Sequence, residues 1–339
     1  MTDVAAPRAP APAVVATPNR WLPALVFFAT LVIASVLLFV RVSSTPIELA
    51  GTFTGLGFVS ARQQPLGHPM RLSALGASGV KGVELPEEVP AATGATALRV
   101  AVEETPDGRE AGSIVMDRIV VPEGTQIWLA RTDVPRQYRL SLRAPTPGAI
   151  EVHADVTGGL GFAPSSAARM TTVLRAPRGV DFQSSTGALD LDLTLPSDLE
   201  APLPRWEQLV VRDLRVHSVE DLQDAARPLV RPVSTIQSGS LYFEALGGTE
   251  RKLRPGELLR FGTASGTFLT LDLRRDGIAA TFQGDVRGMR TGSGDDPTPL
   301  MPRLIEWLRK RQALSLLWGT ALYLSGIGLT LRRWWRKPE

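Results

Sequence analysis

Two long runs without a charged side chain constrain this chain more than any other feature of its sequence. Residues 22–40 read LPALVFFATLVIASVLLFV and residues 313–331 read ALSLLWGTALYLSGIGLTL, and each run is nineteen residues long. At about 1.5 Å of rise per residue, a helix of this length just crosses a hydrocarbon core about 30 Å thick. A helix packed on a protein core would show a polar face, and neither run has a charged one. We therefore predict transmembrane helices over residues 20–41 and 313–331.

Aromatic and basic residues mark the ends of both runs. Five of the seven tryptophans lie in or beside them, where amphipathic rings favour the boundary between lipid and water. A cleaved signal peptide is the alternative for the first run, but its apolar stretch is long and no small-x-small cleavage site follows before Thr45. The predicted membrane-interface residues are Trp21, Trp307, Arg309, Lys310, Arg311, Trp334 and Trp335.

Two spans place both termini on one side of a membrane and the central part of the chain on the other. Basic residues are nearly balanced between the tails and the loop flanks, and long loops cross a membrane largely regardless of charge. The absence of cysteine and the many strand patterns suit a bacterial periplasm. We predict a bacterial inner-membrane protein in contact with membrane lipid, with both termini in the cytoplasm and the central region in the periplasm.

Composition and charge exclude several classes of protein. The chain has 339 residues, no cysteine and three histidines, so disulfides and thiolate metal sites are impossible and imidazole chemistry is scarce. The net charge is +3, but residues 301–339 hold eight basic and two acidic side chains. The remainder is slightly acidic, which argues against nucleic acid as a partner. The sequence contains no Walker A, HExxH or Gly-x-Ser-x-Gly motif, and we expect no cofactor.

The central region is rich in short stretches that alternate between apolar and polar residues. Residues 189–195 (LDLDLTL) and 269–273 (LTLDL) alternate strictly, and residues 98–102, 140–142 and 150–156 have the same period of two. Such stretches bury one face and expose the other. We predict a mainly β fold, an antiparallel β-sandwich or barrel-like extramembrane region flanked by two transmembrane α-helices. A capping pattern at Ser218 and Asp221 predicts one short helix over residues 219–226.

The order of these patterns predicts the domain organisation. A series of glycine turns and strands at residues 124–158 recurs at 256–288 with an offset of 130–132 residues, a similarity that chance also explains. If the repeat is real, the central region holds two similar β modules. The predicted segments are a disordered Ala/Pro-rich tail (1–19), the first span (20–41), β module 1 (45–160), β module 2 (161–291), a linker (292–301), an amphipathic interfacial helix (302–312), the second span (313–331) and a basic cytoplasmic tail (332–339).

One predicted strand carries a row of titratable side chains. Glu151, His153 and Asp155 alternate along it and so project from one face. Carboxylate and imidazole groups in such a row could hold a divalent cation or tune a general base. The solvated face of an amphipathic strand explains the same pattern, and only Asp285 preserves the residue type at the repeat positions. The three residues are candidates, and no metal is assigned.

Two glycine-containing tetrapeptides invite a second hypothesis. GLGF occurs at residues 55–58 and 159–162, and it resembles the loop with which PDZ domains bind a peptide carboxylate. The helices that a PDZ domain needs do not follow, so glycine-rich turns or bulges are the preferred interpretation. Asp295 and Asp296 are interpreted as part of a solvated tether, because a calcium loop needs more oxygen ligands at defined spacing.

The sequence around the second run predicts contacts with lipid and with another helix. Residues 302–312 (PRLIEWLRKRQ) set apolar against basic side chains, as in a helix that anchors at the interface or recognises lipid headgroups. Small side chains on one face let another helix approach closely, and the nearest partner is the first span. The predicted packing residues are Ser315, Gly319, Gly326 and Thr330.

Three classes of function fit these features. We favour a non-enzymatic scaffold or accessory subunit of an envelope complex, with other inner-membrane or periplasmic proteins as partners. The layout resembles inner-membrane accessory proteins of export or polysaccharide systems, which implies as the alternative a periplasmic module that binds a lipid or glycan ligand. The third class is a hydrolase whose carboxylates the sequence does not identify.

Overall fold

The alternating stretches of the central region form the strands of an antiparallel β structure. It was obtained as a computed structural model, which describes residues 38–67, 69–84, 96–104, 110–163, 169–197, 203–224, 227–292 and 297–310. It also describes eight single positions, Phe28, Val32, Ser35, Ser315, Gly319, Leu322, Tyr323 and Gly326. The fold is mainly β over these residues, as the sequence predicts.

Twenty-five strands and two short helical segments make up the described chain. The strands before residue 150 are β1 (Thr45–Phe53), β2 (Gly55–Ser60), β3 (Gln64–Leu66), β4 (Met70–Leu72), β5 (Ala74–Ser78), β6 (Val80–Glu84), β7 (Ala97–Ala101), β8 (Glu103–Glu104), β9 (Glu110–Ala111), β10 (Ser113–Val121), β11 (Gln126–Arg131) and β12 (Gln137–Arg143). They continue as β13 (Glu151–Ala163), β14 (Arg169–Ser184), β15 (Ala188–Thr194), β16 (Arg205–Arg215), β17 (His217–Asp224), β18 (Arg227–Ser234), β19 (Ile236–Phe243), β20 (Thr249–Leu253), β21 (Leu259–Arg260), β22 (Thr263–Leu273), β23 (Ile278–Arg287), β24 (Arg290–Thr291) and β25 (Thr298–Pro299). The helical segments are a 3₁₀ turn, η1 (Glu244–Leu246), and an α-helix, α1 (Leu304–Lys310).

Eighteen strands share one sheet, in which early and late strands are interleaved. Paired neighbours run β20–β19–β1–β23–β22–β16–β2–β11–β12–β15–β5–β7–β13, all antiparallel. β13 also pairs with β10 and β14. The predicted boundary at residues 160 and 161 lies inside β13, and β1 and β2 pair with strands from beyond it. The sheet is therefore not divided at that boundary.

The two halves of the predicted repeat have different pairing partners. β12, which contains residues 140–143, pairs with β11 and β15. Its counterpart β22 pairs with β16 and with its direct successor β23. In the first half, the strand that follows β12 is β13, and it pairs with β10, β14 and β7 instead. The two series thus share their turn and strand pattern but not their position in the sheet.

One apolar cluster, drawn from both halves of the chain, fills the core between Ile47 and Met301. β15 shows the predicted alternation directly, because its leucines are buried and the residues between them are half-buried. β22 departs from it, since a register shift between Phe268 and Thr270 turns the strand. Asp272, at an outward position between buried Leu271 and Leu273, is only 8% exposed, and Arg205 on β16 binds its carboxylate at 2.7 Å.

One local prediction, the short helix, is wrong. Residues 219–224 belong to β17 rather than to a helix, and β17 pairs along its whole length with β18. The capping pattern is local, whereas the partner strand supplies a full ladder of backbone hydrogen bonds. Within the predicted linker, Thr298–Pro299 forms β25 against β24; Asp295 and Asp296 lie outside the described residues.

The GLGF tetrapeptides lie within strands. The first belongs to β2 and the second to β13, whose register shifts between Val156 and Gly158 and between Leu160 and Gly161. The bulge interpretation is therefore confirmed for the second tetrapeptide. The first is regular strand in its pairing with β11.

Most residues of the two predicted spans lie outside the described part of the chain. The same is true of the predicted tails at residues 1–19 and 332–339. Within the described residues, no helix has both the length and the apolar character needed to cross a membrane.

Candidate functional site

The two chain segments that lead into the apolar runs lie side by side. Arg41 and Arg303 form an antiparallel bridge. The amide of Val42 donates to the carbonyl oxygen of Pro302 at 3.0 Å, and the amide of Leu304 donates to that of Val40 at 2.9 Å. We call residues 40–42 and 302–304 the junction. It brings together two points of the chain that are more than 250 residues apart.

The side chain of Arg41 reinforces the junction. Its Nη1 donates to the carbonyl oxygen of Met301 at 2.8 Å and to that of Pro299 at 3.1 Å. Hydrogen bonds from a charged donor are stronger than neutral ones. Arg41 therefore fixes the strand that precedes α1, and with it the point at which the chain enters this helix.

α1 has the amphipathic character that the sequence predicts. The amide of Arg303 donates to Glu306 Oε2 at 3.3 Å, which satisfies a free donor at the start of the helix. The apolar side chains Leu304, Ile305, Trp307 and Leu308 are half-buried, and the charged side chains Arg303, Glu306, Arg309 and Lys310 are exposed. The predicted interface residues Trp21, Arg311, Trp334 and Trp335 lie outside the described residues.

η1 lies next to α1 at this end of the β structure. Gly247 ends η1 in the left-handed conformation, with φ +69°, and its amide donates back to Glu244. A Cβ at residue 247 would lie 3.8 Å from Lys310 Nζ. The ammonium group of Lys310 is thus close to the carbonyl end of η1, where a positive charge is favourable.

All but the last of the described positions within the first run are helical, and all are exposed. Phe28, Val32, Ser35, Leu38 and Phe39 are helical. Phe39 is 81% exposed and Phe28 is 68% exposed. Large apolar side chains are rarely left so open on a surface that faces water when they occur in a contiguous patch.

The described positions within the second run include most of the predicted packing face. Ser315, Gly319 and Gly326 are helical and exposed, and Leu322 is 69% exposed; Thr330 lies outside the described residues. Nothing lies within 4 Å of a Cβ built at Gly319 or Gly326. The close approach of another helix at these two glycines is therefore not seen in the described part of the chain.

The row of titratable residues on β13 is organised by a residue that the sequence does not single out. His153 Nδ1 is 2.7 Å from Asp181 Oδ1 on β14, and its Nε2 is 3.9 Å from Asp155 Oδ1. The imidazole packs on Gly179, where a Cβ would lie 3.2 Å from Cε1. Asp181 is the partner of His153 in the β13–β14 register, and a single sequence does not reveal that register.

The surroundings of His153 do not form a metal centre. A shallow groove of about 220 Å³ is lined by Arg118, Glu151, Val152, His153, Asp181, Phe182 and Gln183. No group of three metal-ligating side chains occurs among the residues described. None of the lining side chains is a hydroxyl or thiol nucleophile. Since His153 is held by one aspartate, the row is a charged, hydrogen-bonded sheet face, and nothing in its geometry supports a cation at Glu151, His153 and Asp155.

Comparisons with known proteins add no relative. The chain matches no family model, and no curated protein or solved structure is similar to it. Any functional conclusion therefore depends on the chain's own residues.

Proposed function

We propose that the chain is a non-enzymatic, two-span bacterial inner-membrane protein. It presents its β-rich region in the periplasm as a scaffold or accessory subunit of an envelope complex. The observation that carries this proposal is the junction, in which the end of the first apolar run at residue 40 lies beside the start of α1 at residue 304, and α1 leads toward the second run at residue 313. Two runs that approach one point of the fold can enter the same membrane together.

The chemistry around the junction supports this arrangement. Arg41, Arg303, Arg309 and Lys310 are exposed there, and basic side chains at this position favour anionic lipid headgroups. Trp307 lies on the half-buried face of α1. Tryptophan rings are enriched at the level of the lipid headgroups, and this position would suit one there. Two adjacent spans would place both termini on the same side of the membrane.

The scaffold role is supported by the chemistry of the described surface. The most organised titratable cluster, at His153, offers no nucleophile among its lining residues. The long β17–β18 hairpin forms a sheet of its own, and Val219 on it is 59% exposed. Partners are proposed to be other inner-membrane or periplasmic proteins.

Alkaline carbonate extraction and reporter fusions test membrane insertion and topology. We expect the full chain to stay in the membrane pellet after carbonate treatment. An alkaline phosphatase fusion after Glu339 should be inactive, and a matched fusion after Gly292 should be active. Recovery of the full chain from the aqueous supernatant without detergent would overturn the membrane assignment, and an active fusion at Glu339 would reverse the topology.

One feature favours the alternative in which the β region binds a ligand. A groove beside Trp128 combines an aromatic ring with polar side chains. The geometry of this groove does not depend on membrane insertion.

A further inference from the structure

A groove of about 250 Å³ lies on the face of β2, β11 and β12 that points away from the core. Ile127 and Leu129 on β11 are buried, so Trp128 between them projects to the opposite face. The volume is smaller than the roughly 300–1,000 Å³ of a drug-sized pocket. The groove therefore suits one small ring and its substituents rather than a large ligand.

The indole of Trp128 forms one wall of the groove, and two glycines fix its position. A Cβ at residue 57 would lie 2.6 Å from Trp128 Cε3, and a Cβ at residue 55 would lie 3.1 Å from its Cζ2. The ring thus packs directly on the β2 backbone at Gly55 and Gly57. Any larger residue at position 57 would displace it. The glycines of the first GLGF tetrapeptide, at residues 55–58, therefore leave the space in which the Trp128 ring packs on the backbone.

A β-bulge turns polar side chains toward the same groove. Between Arg212 and Arg215, β16 has one residue more than the stretch of β2 with which it pairs. Asp213 in the bulge has φ +55°, a left-handed conformation that costs energy in residues other than glycine. Both Asp213 and Arg215 line the groove and are exposed. Bulges commonly re-aim side chains in this way next to functional sites.

Some polar side chains of the groove already have hydrogen-bond partners, and others do not. Arg143 is already engaged, because its Nη2 donates to Asp190 Oδ2 at 3.0 Å. The side chains of Asp213, Arg215 and Gln126 make no hydrogen bond or ion pair with any described residue. A carboxylate, a guanidinium and an amide are therefore available together beside one aromatic ring.

A second groove of similar size provides an internal comparison. It has about 280 Å³ and is lined by residues of β5, β7, β12 and β15, among them Arg99 and Asp192. None of its lining residues is aromatic, and Asp192 is bound by Arg139 at 2.8 Å. The combination of an aromatic wall with unengaged polar groups is thus a property of the Trp128 groove and not of every depression on this sheet.

We infer that the Trp128 groove binds a neutral pyranose unit of a glycan chain. The carbon–hydrogen face of a sugar ring is apolar and stacks on the indole, while the hydroxyl groups at its edge donate to Asp213 and accept from Arg215. Gln126 can do both. With Arg143 paired to Asp190, the carboxylate of Asp213 and the guanidinium of Arg215 leave the groove without net charge, which favours a neutral sugar over an acidic one. The inference goes beyond the proposed scaffold function and does not depend on the number of membrane spans.

Isothermal titration calorimetry on the full chain tests the inference. The detergent must lack a sugar headgroup, because maltoside and glucoside headgroups would compete for the groove. The probes are maltotriose, mannotriose and N,N′,N″-triacetylchitotriose as neutral glycans and trigalacturonate as an acidic one. We expect at least one neutral trisaccharide to bind and trigalacturonate to bind at least about tenfold more weakly.

Two variants separate loss of the site from loss of the fold. Trp128→Ala should weaken binding at least about tenfold, since it removes the stacking surface. Asp213→Gly should also weaken binding, although glycine relieves the left-handed strain at this position and should leave the melting temperature equal or higher. Arg99→Gln, in the groove without an aromatic wall, is the matched control and should bind like the wild type.

Each possible outcome bears on the inference. Weakened binding in Asp213→Gly with an undiminished melting temperature supports it, because the fold is intact. Binding that survives in both groove variants overturns it, and so does the absence of binding by all three neutral probes. Binding of trigalacturonate alone would identify an anion site and overturn the assignment of a neutral sugar. None of these results alters the expectation that the full chain stays in the membrane pellet after carbonate treatment.

Discussion

The hydroxyl group of Tyr138 donates a hydrogen bond to the carbonyl oxygen of Gly277, 2.9 Å away. It also contacts the carbonyl oxygen of Arg274. Tyr138 lies on β12 and both acceptors lie in the turn between β22 and β23, so one side chain ties two distant parts of the sheet together. Burial raises the pKa of Tyr138 to about 12.

Replacement of Tyr138 by phenylalanine should destabilise the fold. The change removes the hydroxyl and its hydrogen bond, while the Gly277 oxygen keeps the amide of Arg274 as a donor at 2.9 Å; the net loss of such a bond typically costs about 0.5–1.5 kcal/mol. Urea unfolding followed by circular dichroism measures the difference in the free energy of unfolding. Tyr242→Phe is the control, because Tyr242 is half-buried and its hydroxyl bonds to no described residue. Equal stability of the two variants would contradict the structural role of Tyr138.

The raised pKa of Tyr138 predicts a loss of stability at high pH. The folded protein keeps the phenol protonated up to about pH 12, whereas the unfolded chain ionises near the usual value of 10.0. The unfolded state therefore binds fewer protons in this window, and stability falls as pH rises. The stability advantage of the wild type over Tyr138→Phe should be full below pH 10 and should shrink above it. An advantage that is constant from pH 9 to pH 11.5 would show that the phenol is not held in its protonated form.

Gln64 supplies backbone partners where β16 is irregular. Its Nε2 donates to the carbonyl oxygen of Val210 at 3.0 Å, and its Oε1 accepts from the amide of Val210 at 3.0 Å. Gln64 is 5% exposed, and nearby Gln208 has φ +56°. The side-chain amide thus takes the place of a neighbouring strand at this point.

Substitution of Gln64 by leucine should therefore be costly although the volumes are similar. The amide of Val210 would lose its acceptor, which typically costs about 1–3 kcal/mol for an unsatisfied group, whereas the carbonyl oxygen of Val210 keeps the amide of Ala61 as a donor at 3.1 Å. Gln183→Leu, at an exposed site on β14, should change stability by less than about 0.5 kcal/mol. Thermal denaturation of the pair measures the difference. A Gln64→Leu protein with the same melting temperature as Gln183→Leu would indicate that water replaces the lost side-chain amide.

Glu257 predicts a loss of stability at low pH. Burial raises the pKa of this carboxyl group, but hydrogen bonds from Thr291 at 2.6 Å, from the amide of Arg254 and from Arg251 outweigh burial, and the pKa is lowered overall. A depressed folded pKa contributes stability that is present above the unfolded value and is lost as pH falls through the folded value.

Glu257→Gln should remove part of this acid sensitivity. The variant is expected to be less stable than the wild type at pH 7, and the gap should narrow between about pH 4.3 and lower values as the wild-type carboxylate is protonated. Urea midpoints at pH 7 and pH 3 test this expectation, with the exposed Glu123→Gln as control. A gap of the same size at both values would refute the contribution of the Glu257 charge.

The regular part of the fold could be predicted because alternation is a local property of the sequence. Leu189, Leu191 and Leu193 identify β15 and its buried face without knowledge of any partner strand. The helix predicted at residues 219–226 failed for the same reason, since Ser218 and Asp221 carry a local signal that the β18 strand overrides. Tertiary pairing commonly overrides local propensity in this way.

The contacts that position the candidate sites had no signal in a single sequence. His153 and Asp181 are 28 residues apart, and Gln64 lies 146 residues from its acceptor Val210. The Trp128 groove depends on the left-handed conformation of Asp213. An aspartate does not indicate this conformation in a sequence, whereas a glycine would suggest it. Register and backbone irregularities decide these sites, and both arise only when distant strands meet.

The junction itself can be tested with a disulfide in this cysteine-free chain. Arg41 and Arg303 are directly opposite, and the hydrogen bonds of the flanking residues make them a non-hydrogen-bonded pair. Such pairs have Cα atoms about 4.5 Å apart, which suits a disulfide.

Arg41→Cys combined with Arg303→Cys should form an intramolecular bond, seen as a mobility shift on non-reducing gels. Arg41→Cys combined with Arg309→Cys is the matched control and should not. If the bond forms in growing cells, the junction faces the oxidising periplasm; if it forms only after addition of an oxidant to purified protein, the pairing is correct and the orientation is reversed. Failure of the bond under both conditions would refute the junction and remove the main support for two adjacent spans.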